Sequence, residues 1–254
     1  MLIITSPSKT QNEAGRQYPR CSLPLLQKKS REIISILKKM DIKALEGLLA
    51  TSDKLTAASH RRIQALTAKP TPQNARQALF TYRGEAYSAI PADFYDDEAL
   101  DFAQGHLLIL SALYGLLRPL DLIQPYRLEM AAKLSVRDGD NLYDFWRGPI
   151  TTTLNELLAK EKHKQVINLA SSEYSRVIDR HRLDGPMITI TFRENVGGSW
   201  RAVPIHAKRA RGAMVHHIIA NRIKEPTPLQ EFDQDGYLFD RQGSSDSEWL
   251  FLRR

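Results

Sequence analysis

A single cysteine, Cys21, stands in 254 residues, so neither an internal disulfide nor a thiolate metal cluster can be built from this chain. Long apolar runs are missing as well. None approaches the ~20 residues that a membrane span requires, and a membrane partner is therefore not expected. Leu2-Ile3-Ile4 turns polar at once, without the charged and apolar regions of a secretory leader, which leads us to expect a soluble, cytoplasmic protein. The seven histidines (His60, His106, His163, His181, His206, His216, His217) show no metal spacing with carboxylates. No GxSxG, HExxH or Cys-His arrangement occurs, and no metal or cofactor is expected.

Positive charge is what the chain has in excess, +7 overall and unevenly spread. Between Lys160 and Lys224 thirteen Lys/Arg face five acids, which leaves the remainder close to neutral. Net charge bears on partners more than on fold, and so concentrated an excess favours a polyanion or a phosphate-bearing small molecule. An apolar content of 42% is enough for a substantial core. There is no internal repeat, low-complexity tract or Gly/Ser linker to mark a boundary. We therefore expect one domain over 1–254, a mixed α/β or α+β fold with a mixed central sheet surrounded by helices.

The pattern predicts buried strands at Leu2-Ile3-Ile4 and Val166–Ala170, with helices at Leu25–Met40, Asp41–Ala50 and Lys54–Leu66. Further helices are expected at Asn74–Leu79, Asp96–Ser111, Asn141–Trp146, Pro149–Ala159, from Ser171 through Arg180, and Ala207–Ile223. Strands are expected at Phe80–Tyr82, Leu128–Leu134, Met187–Arg193 with its hairpin partner Trp200–His206, Gly236–Phe239 and Trp249–Leu252.

Four segments could carry chemistry. Thr5-Ser6-Pro7-Ser8-Lys9-Thr10 follows a buried strand, where α/β proteins place ligands, and offers donors to an anion without the glycines of a P-loop. The spacing Leu110-x-x-Leu113-x-Gly115-Leu116-x-x-x-Leu120-x-x-Ile123 matches a helix-hairpin-helix, whose Gly115 would present main-chain amides to a DNA phosphate; an αα-corner fits the same spacing. Just beyond, Arg118, Asp121, Gln124, Tyr126, Arg127 and Glu129 crowd between leucines. Such groups either pair with one another (Arg118 with Asp121, Arg127 with Glu129) or face a ligand. Asn168, Ser171, Glu173 and Tyr174 after the second buried strand could line a cleft or serve as turn chemistry. In Ala207–Met214, small residues allow close helix packing while Lys208 and Arg211 share one face and Arg209 points away.

The strings SPSKT (Ser6–Thr10), SDKL (Ser52–Leu55), LSALYGLLRPLDLIQPYRLEM (Leu110–Met130), INLASSEY (Ile167–Tyr174), AKRARG (Ala207–Gly212) and GYLF (Gly236–Phe239) together resemble the YaaA family of bacterial peroxide-stress proteins, over residues 1 to about 252. The resemblance implies a cytosolic protein that limits free intracellular iron, and the oxidative DNA damage it causes, and that binds DNA through a positive cleft and a helix-hairpin-helix-like element. The family usually has Ala at Ser8, Asp or a similar residue at Ser172, and an aromatic and Lys where this chain has Ser175-Arg176.

The expected partner is DNA, duplex or structured, bound without sequence preference by a monomer. Lys9, Lys54, Arg118, Arg127, Arg176, Lys208, Arg209 and Arg211 would supply cations, Gly115 would supply amides, and Ser6 would join the cleft. The alternative is an enzyme acting on a phosphorylated or nucleotide-like small molecule through Lys9, Arg118, Asp121, Tyr126, Arg127, Glu129 and Glu173. Direct iron sequestration lacks a ligand cluster.

Overall fold

The structure, a computed structural model, describes residues 1–137 and 139–253. The chain begins with β1 (Leu2–Thr5), all four residues of which are buried, as a central parallel strand covered on both faces requires. The first half continues through β2 (Thr10–Gln11), α1 (Gln27–Lys38), α2 (Ile42–Leu49), α3 (Asp53–Ala65), β3 (Arg76–Gln77), α4 (Ala78–Thr81), β4 (Tyr82–Arg83), α5 (Glu85–Ser88), α6 (Asp97–His106), β5 (Leu107–Ser111), β6 (Gly115–Leu117) and β7 (Leu122–Ile123). The second half adds α7 (Leu142–Leu158), β8 (Val166–Asn168), α8 (Ser172–Ser175), β9 (Met187–Val196), β10 (Ser199–Arg201), α9 (Pro204–Ala220), β11 (Tyr237–Phe239) and β12 (Glu248–Arg253).

The main sheet runs β11-β12-β9-β8-β1-β5-β6, with β10 pairing the far end of β9. Its five inner strands are parallel, and the edge strands β11 and β6 are antiparallel to their neighbours. From β1 the chain builds outward to β5 and then crosses to β8 on the other side, so the order reverses between β1 and β8. Ile3 pairs with Leu107 on one edge and with Ile167 on the other. In open α/β sheets ligands bind beyond the carboxyl ends of the strands at such a reversal.

Capping chemistry starts several helices. The Asp41 carboxylate accepts the Ala44 N–H at 2.7 Å, Asp96 accepts that of Ala99 at 2.7 Å, and Asn141 accepts those of Tyr143 and Asp144. Among the described residues, no helix is long and apolar enough to cross a membrane.

The helix-hairpin-helix expected at Leu110–Ile123 is corrected by the structure, because this segment contains the β5–β6 hairpin, with Ser111 opposite Gly115. The helix expected over Asp96–Ser111 ends at His106. Leu107–Ser111 is buried at all five positions and inserted beside β1. An apolar run buried all round has no periodicity to separate helix from strand, and pairing with β1 decides it. Asn74–Leu79 is not one helix: β3 pairs with β7, α4 takes up Phe80 and Thr81, and only Tyr82 and Arg83 are extended. Leu128–Leu134 forms no strand. The two helices expected on either side of Pro149 are one, α7. Burial of Trp146, Ile150, Leu154 and Leu158 outweighs the hydrogen bond that the proline removes. The helix expected through Arg180 stops at Ser175, and the partner expected over Trp200–His206 is strand only to Arg201, since Pro204 opens α9.

On α9, His216 stacks on Tyr95, whose hydroxyl oxygen lies 2.9 Å from Nδ1, and burial lowers the pKa of both His216 and His217. A lowered pKa means the unfolded chain takes up protons that the folded one refuses. The stability these imidazoles contribute is therefore complete above the ordinary histidine pKa of about 6.5 and lost as pH falls through the lowered value. The melting temperature should drop between about pH 7.5 and pH 5, and less so in His216→Phe; equal slopes would assign the effect elsewhere.

Candidate functional site

At the carboxyl ends of β1 and β8 lies a cavity of about 440 Å³, walled by the Ser6–Thr10 loop, Leu169 to Tyr174, the Arg83–Tyr87 turn and the first half of α9. Each wall is set by local chemistry. The Asn168 carboxamide oxygen accepts the Ala170 N–H at 3.0 Å and its nitrogen donates to Thr189 Oγ1, fixing the turn out of β8. The Ser171 N–H donates to Ser6 Oγ at 2.8 Å, tying that turn to the one out of β1. The Tyr87 hydroxyl donates to the Ser6 carbonyl at 2.9 Å. On the opposite wall α9 crosses α5 at Gly212, where a Cβ would stand 1.8 Å from the Ala86 carbonyl oxygen. Only glycine permits that approach, and it brings Lys208 and Arg211 over the cavity.

Arg211 is the least satisfied cation here. Its Nε is buried with no hydrogen-bond partner among the described residues, and burial lowers its pKa. Lys208 lines the same cavity and is exposed. Glu85 and Glu173 are the carboxylates on the walls, and the Glu173 side chain lies within 3.4 Å of the Ala131 N–H. Arg83 is 3.9 Å from Asp93, a long contact that leaves much of its charge uncompensated.

Past Lys9 the crevice adjoins a narrower cavity lined by Gln11, Tyr126, Arg127, Leu128, Glu129 and Tyr174. Lys9 Nζ meets Glu129 at 2.7 Å, whereas Arg127 Nη2 is 3.6 Å from the other Glu129 oxygen. Arg127 Nε is buried with no hydrogen-bond partner among the described residues. Behind them the Tyr126 hydroxyl lies 2.9 Å from that of Tyr82 and 2.7 Å from Ser111 Oγ, and burial raises the pKa of both tyrosines.

The fold thus brings Ser6, Lys9, Tyr126, Arg127, Glu129, Ser171, Glu173, Tyr174, Lys208 and Arg211 into two adjoining cavities. Other sequence candidates lie apart. Arg118 and Asp121 form a closed knot: Asp121 is fully buried and accepts the Arg118 N–H at 2.8 Å, Arg118 Nη2 at 2.9 Å and the Ser22 hydroxyl at 2.6 Å. Gln124 is buried and exchanges hydrogen bonds with Thr67 at the end of α3. Gly115 (φ 74°) is enclosed by Trp146 and Leu26, where a Cβ would come within 2.6 Å of the indole, so it serves packing and presents no amide surface. Arg176 lies over the Tyr143 ring at 3.9 Å. Lys54 and Arg209 are exposed and line neither cavity. Asn168 is buried and shapes its turn instead of lining the cleft.

Sequence reasoning missed the Arg83–Tyr87 wall. The available signal was Gly84, whose φ of 106° excludes other residues and lets the turn approach Ser8 Oγ.

The family described as Peroxide stress protein YaaA matches residues 1–243. A UPF0246 protein of Acaryochloris marina is 44% identical over 253 residues, covering 100% of both chains. Relatives described as UPF0246 proteins from Janthinobacterium sp. (39% identity) and Legionella pneumophila strain Lens (40%) align over 255 residues, covering 100% of this chain and 99% of their own. Matched along nearly its whole length, the chain belongs to the peroxide stress protein YaaA family.

Proposed function

We propose that this protein serves the peroxide stress response in the cytosol by holding phosphate groups of DNA in the basic crevice, without reading sequence, and so helps to limit free iron and oxidative DNA damage as its family resemblance implies. One observation carries the reading. Arg211 is a largely buried guanidinium whose Nε has no acceptor among the described residues, and it stands with Lys208 over a strand-end crevice. A buried cation lacking an acceptor is costly, and an anion from outside relieves that cost. Lys9 and Arg83 add charge on the same walls. Phosphate contact by charge alone carries no base information, so affinity should be indifferent to sequence.

With about four cations engaged, affinity for DNA is expected to fall roughly a hundredfold between about 50 and about 200 mM salt. Lys208→Ala/Arg211→Ala should weaken binding at least about tenfold and flatten the salt slope by about half. Fluorescence anisotropy on labelled duplex and single-stranded DNA measures both. A flat salt response, or an unchanged double variant, would overturn the reading. The alternative, an enzyme acting on a phosphorylated or nucleotide-like small molecule, draws on the size of the cavity, about 440 Å³, within the range of small-ligand sites. Turnover of such a molecule without DNA retention would favour it.

A further inference from the structure

We infer that the crevice holds two anion subsites, one at Arg211 and a second at Arg127, and that together they take two successive phosphates of a single nucleic-acid strand, with the Glu129 carboxylate standing in for the second phosphate until it arrives. This rests on the reading of the crevice as a phosphate site and adds which form of nucleic acid enters it.

The two cavities are contiguous, sharing Pro7, Ser8, Lys9 and Tyr174. Each contains an arginine with the same deficiency. Buried side-chain polar atoms lacking any partner are few among the described residues, and the Nε atoms of Arg127 and Arg211 are two of them. Arg127 is only 21% exposed, and the carboxylate nearest to it is 3.6 Å away, too long for a charge-assisted hydrogen bond. The partner shows how: Glu129 turns one oxygen to Lys9 at 2.7 Å and leaves the other 3.6 Å from Arg127.

Glu129 therefore sits between two cations in the position of an anion, and it serves one of them poorly. A phosphate, with three or more acceptor oxygens, can meet Lys9 and the Arg127 fork together. Lys9 is 59% exposed and free to turn, and Glu129 is 28% exposed, so its carboxylate can rotate toward water when displaced. With the Lys9–Glu129 pair closed the second cavity is only about 10 Å³, too small for a phosphate until side chains of its lining, Lys9 and Glu129 among them, move aside.

Size selects the form of the strand. A cavity of about 440 Å³ between α9 and α8 accommodates about one nucleotide and excludes a duplex. Tyr174, which lines both cavities, offers an aromatic wall between the subsites. A strand end or an unpaired stretch of DNA fits these limits.

Calorimetric titration with thymidine 5′-monophosphate and with the 5′-phosphorylated thymidine dinucleotide tests the inference. The dinucleotide should bind about tenfold more tightly to the unaltered protein, the worth of one charge-assisted contact. Arg127→Ala should abolish that advantage and leave the mononucleotide unchanged. Glu129→Gln, which removes the internal anion without removing volume, should raise dinucleotide affinity severalfold and leave the mononucleotide unchanged. Arg211→Ala should weaken both. If the first two variants, folded by their melting curves, titrate like the unaltered protein while Arg211→Ala weakens both probes, the second subsite is refuted and the phosphate crevice stands. Failure of both probes to bind, or binding indifferent to Arg211→Ala, overturns the crevice reading and this inference with it.

Discussion

Alanine at Gly212 is expected to destabilise the protein by about 3 kcal/mol and to abolish anion binding in the crevice. The added methyl would stand 1.8 Å from the Ala86 carbonyl oxygen, backbone against backbone, where no rotamer gives relief. Helix α9 must then retreat from α5, and Arg211, one residue before the contact, moves with it. Gly47→Ala is the opposite case: it lies exposed within α2 with nothing within 4 Å of its added Cβ, and the same change there should stabilise by about 0.5–1 kcal/mol. Urea unfolding of both variants checks the sign and the size. A Gly212→Ala protein as stable as the parent would mean that α5 yields easily and that the crevice wall is soft.

The second large effect belongs to Asp121. Asp121→Ala should destabilise by about 3–5 kcal/mol, since it leaves the Arg118 guanidinium without its carboxylate and the Ser22 hydroxyl without its acceptor. Arg118→Ala should cost less, because Asp121 has an escape: burial already pushes its carboxyl up against the pull of Arg118, and without that pull it takes a proton. A raised carboxyl pKa stabilises the fold below the unfolded value of about 3.9, and that contribution is lost as pH rises through the folded value. Stability of Arg118→Ala should therefore decline more steeply than that of the parent as pH rises from about 4 toward neutrality. Denaturant midpoints across that range, compared between the two proteins, measure the difference, and parallel curves would place the charge balance of Asp121 with another partner.

Where local chemistry is strong, the sequence is a good guide to this fold. Asp41 caps α2 as its side chain suggests, the aliphatic triplet at the start becomes β1, and Gly197-Gly198 turns β9 back into β10. The pairing of Arg118 with Asp121, three residues apart, was legible as one of two options. Leu107–Ser111 was not, because a segment buried on all sides has no amphipathic signature and its state is decided by β1, far away in the chain. The same reason explains the mixed outcome at the site. Residue type singled out Lys9, Arg127, Lys208 and Arg211, and helical spacing set Lys208 and Arg211 apart from Arg209, yet nothing in the sequence distinguishes them from Lys54 and Arg176, which the packing leaves elsewhere. Arg83 to Tyr87 escaped notice because its role depends on Gly84 and Gly212, two close approaches with meaning only in three dimensions.

Strand β1 lies in the middle of the sheet and is synthesised before both of the strands that flank it. Ile3 must wait for Leu107 to cover one edge and for Ile167 to cover the other. On the ribosome β1 therefore remains unprotected until β8 has emerged, and the loop after it gains its opposing basic wall only once Arg211 follows. Closing such long loops makes acquisition of the native state slow and late. Nascent chains of this protein should depend on chaperones that shield the aliphatic β1 segment, and a product terminated before β8 would present that bare edge to aggregation.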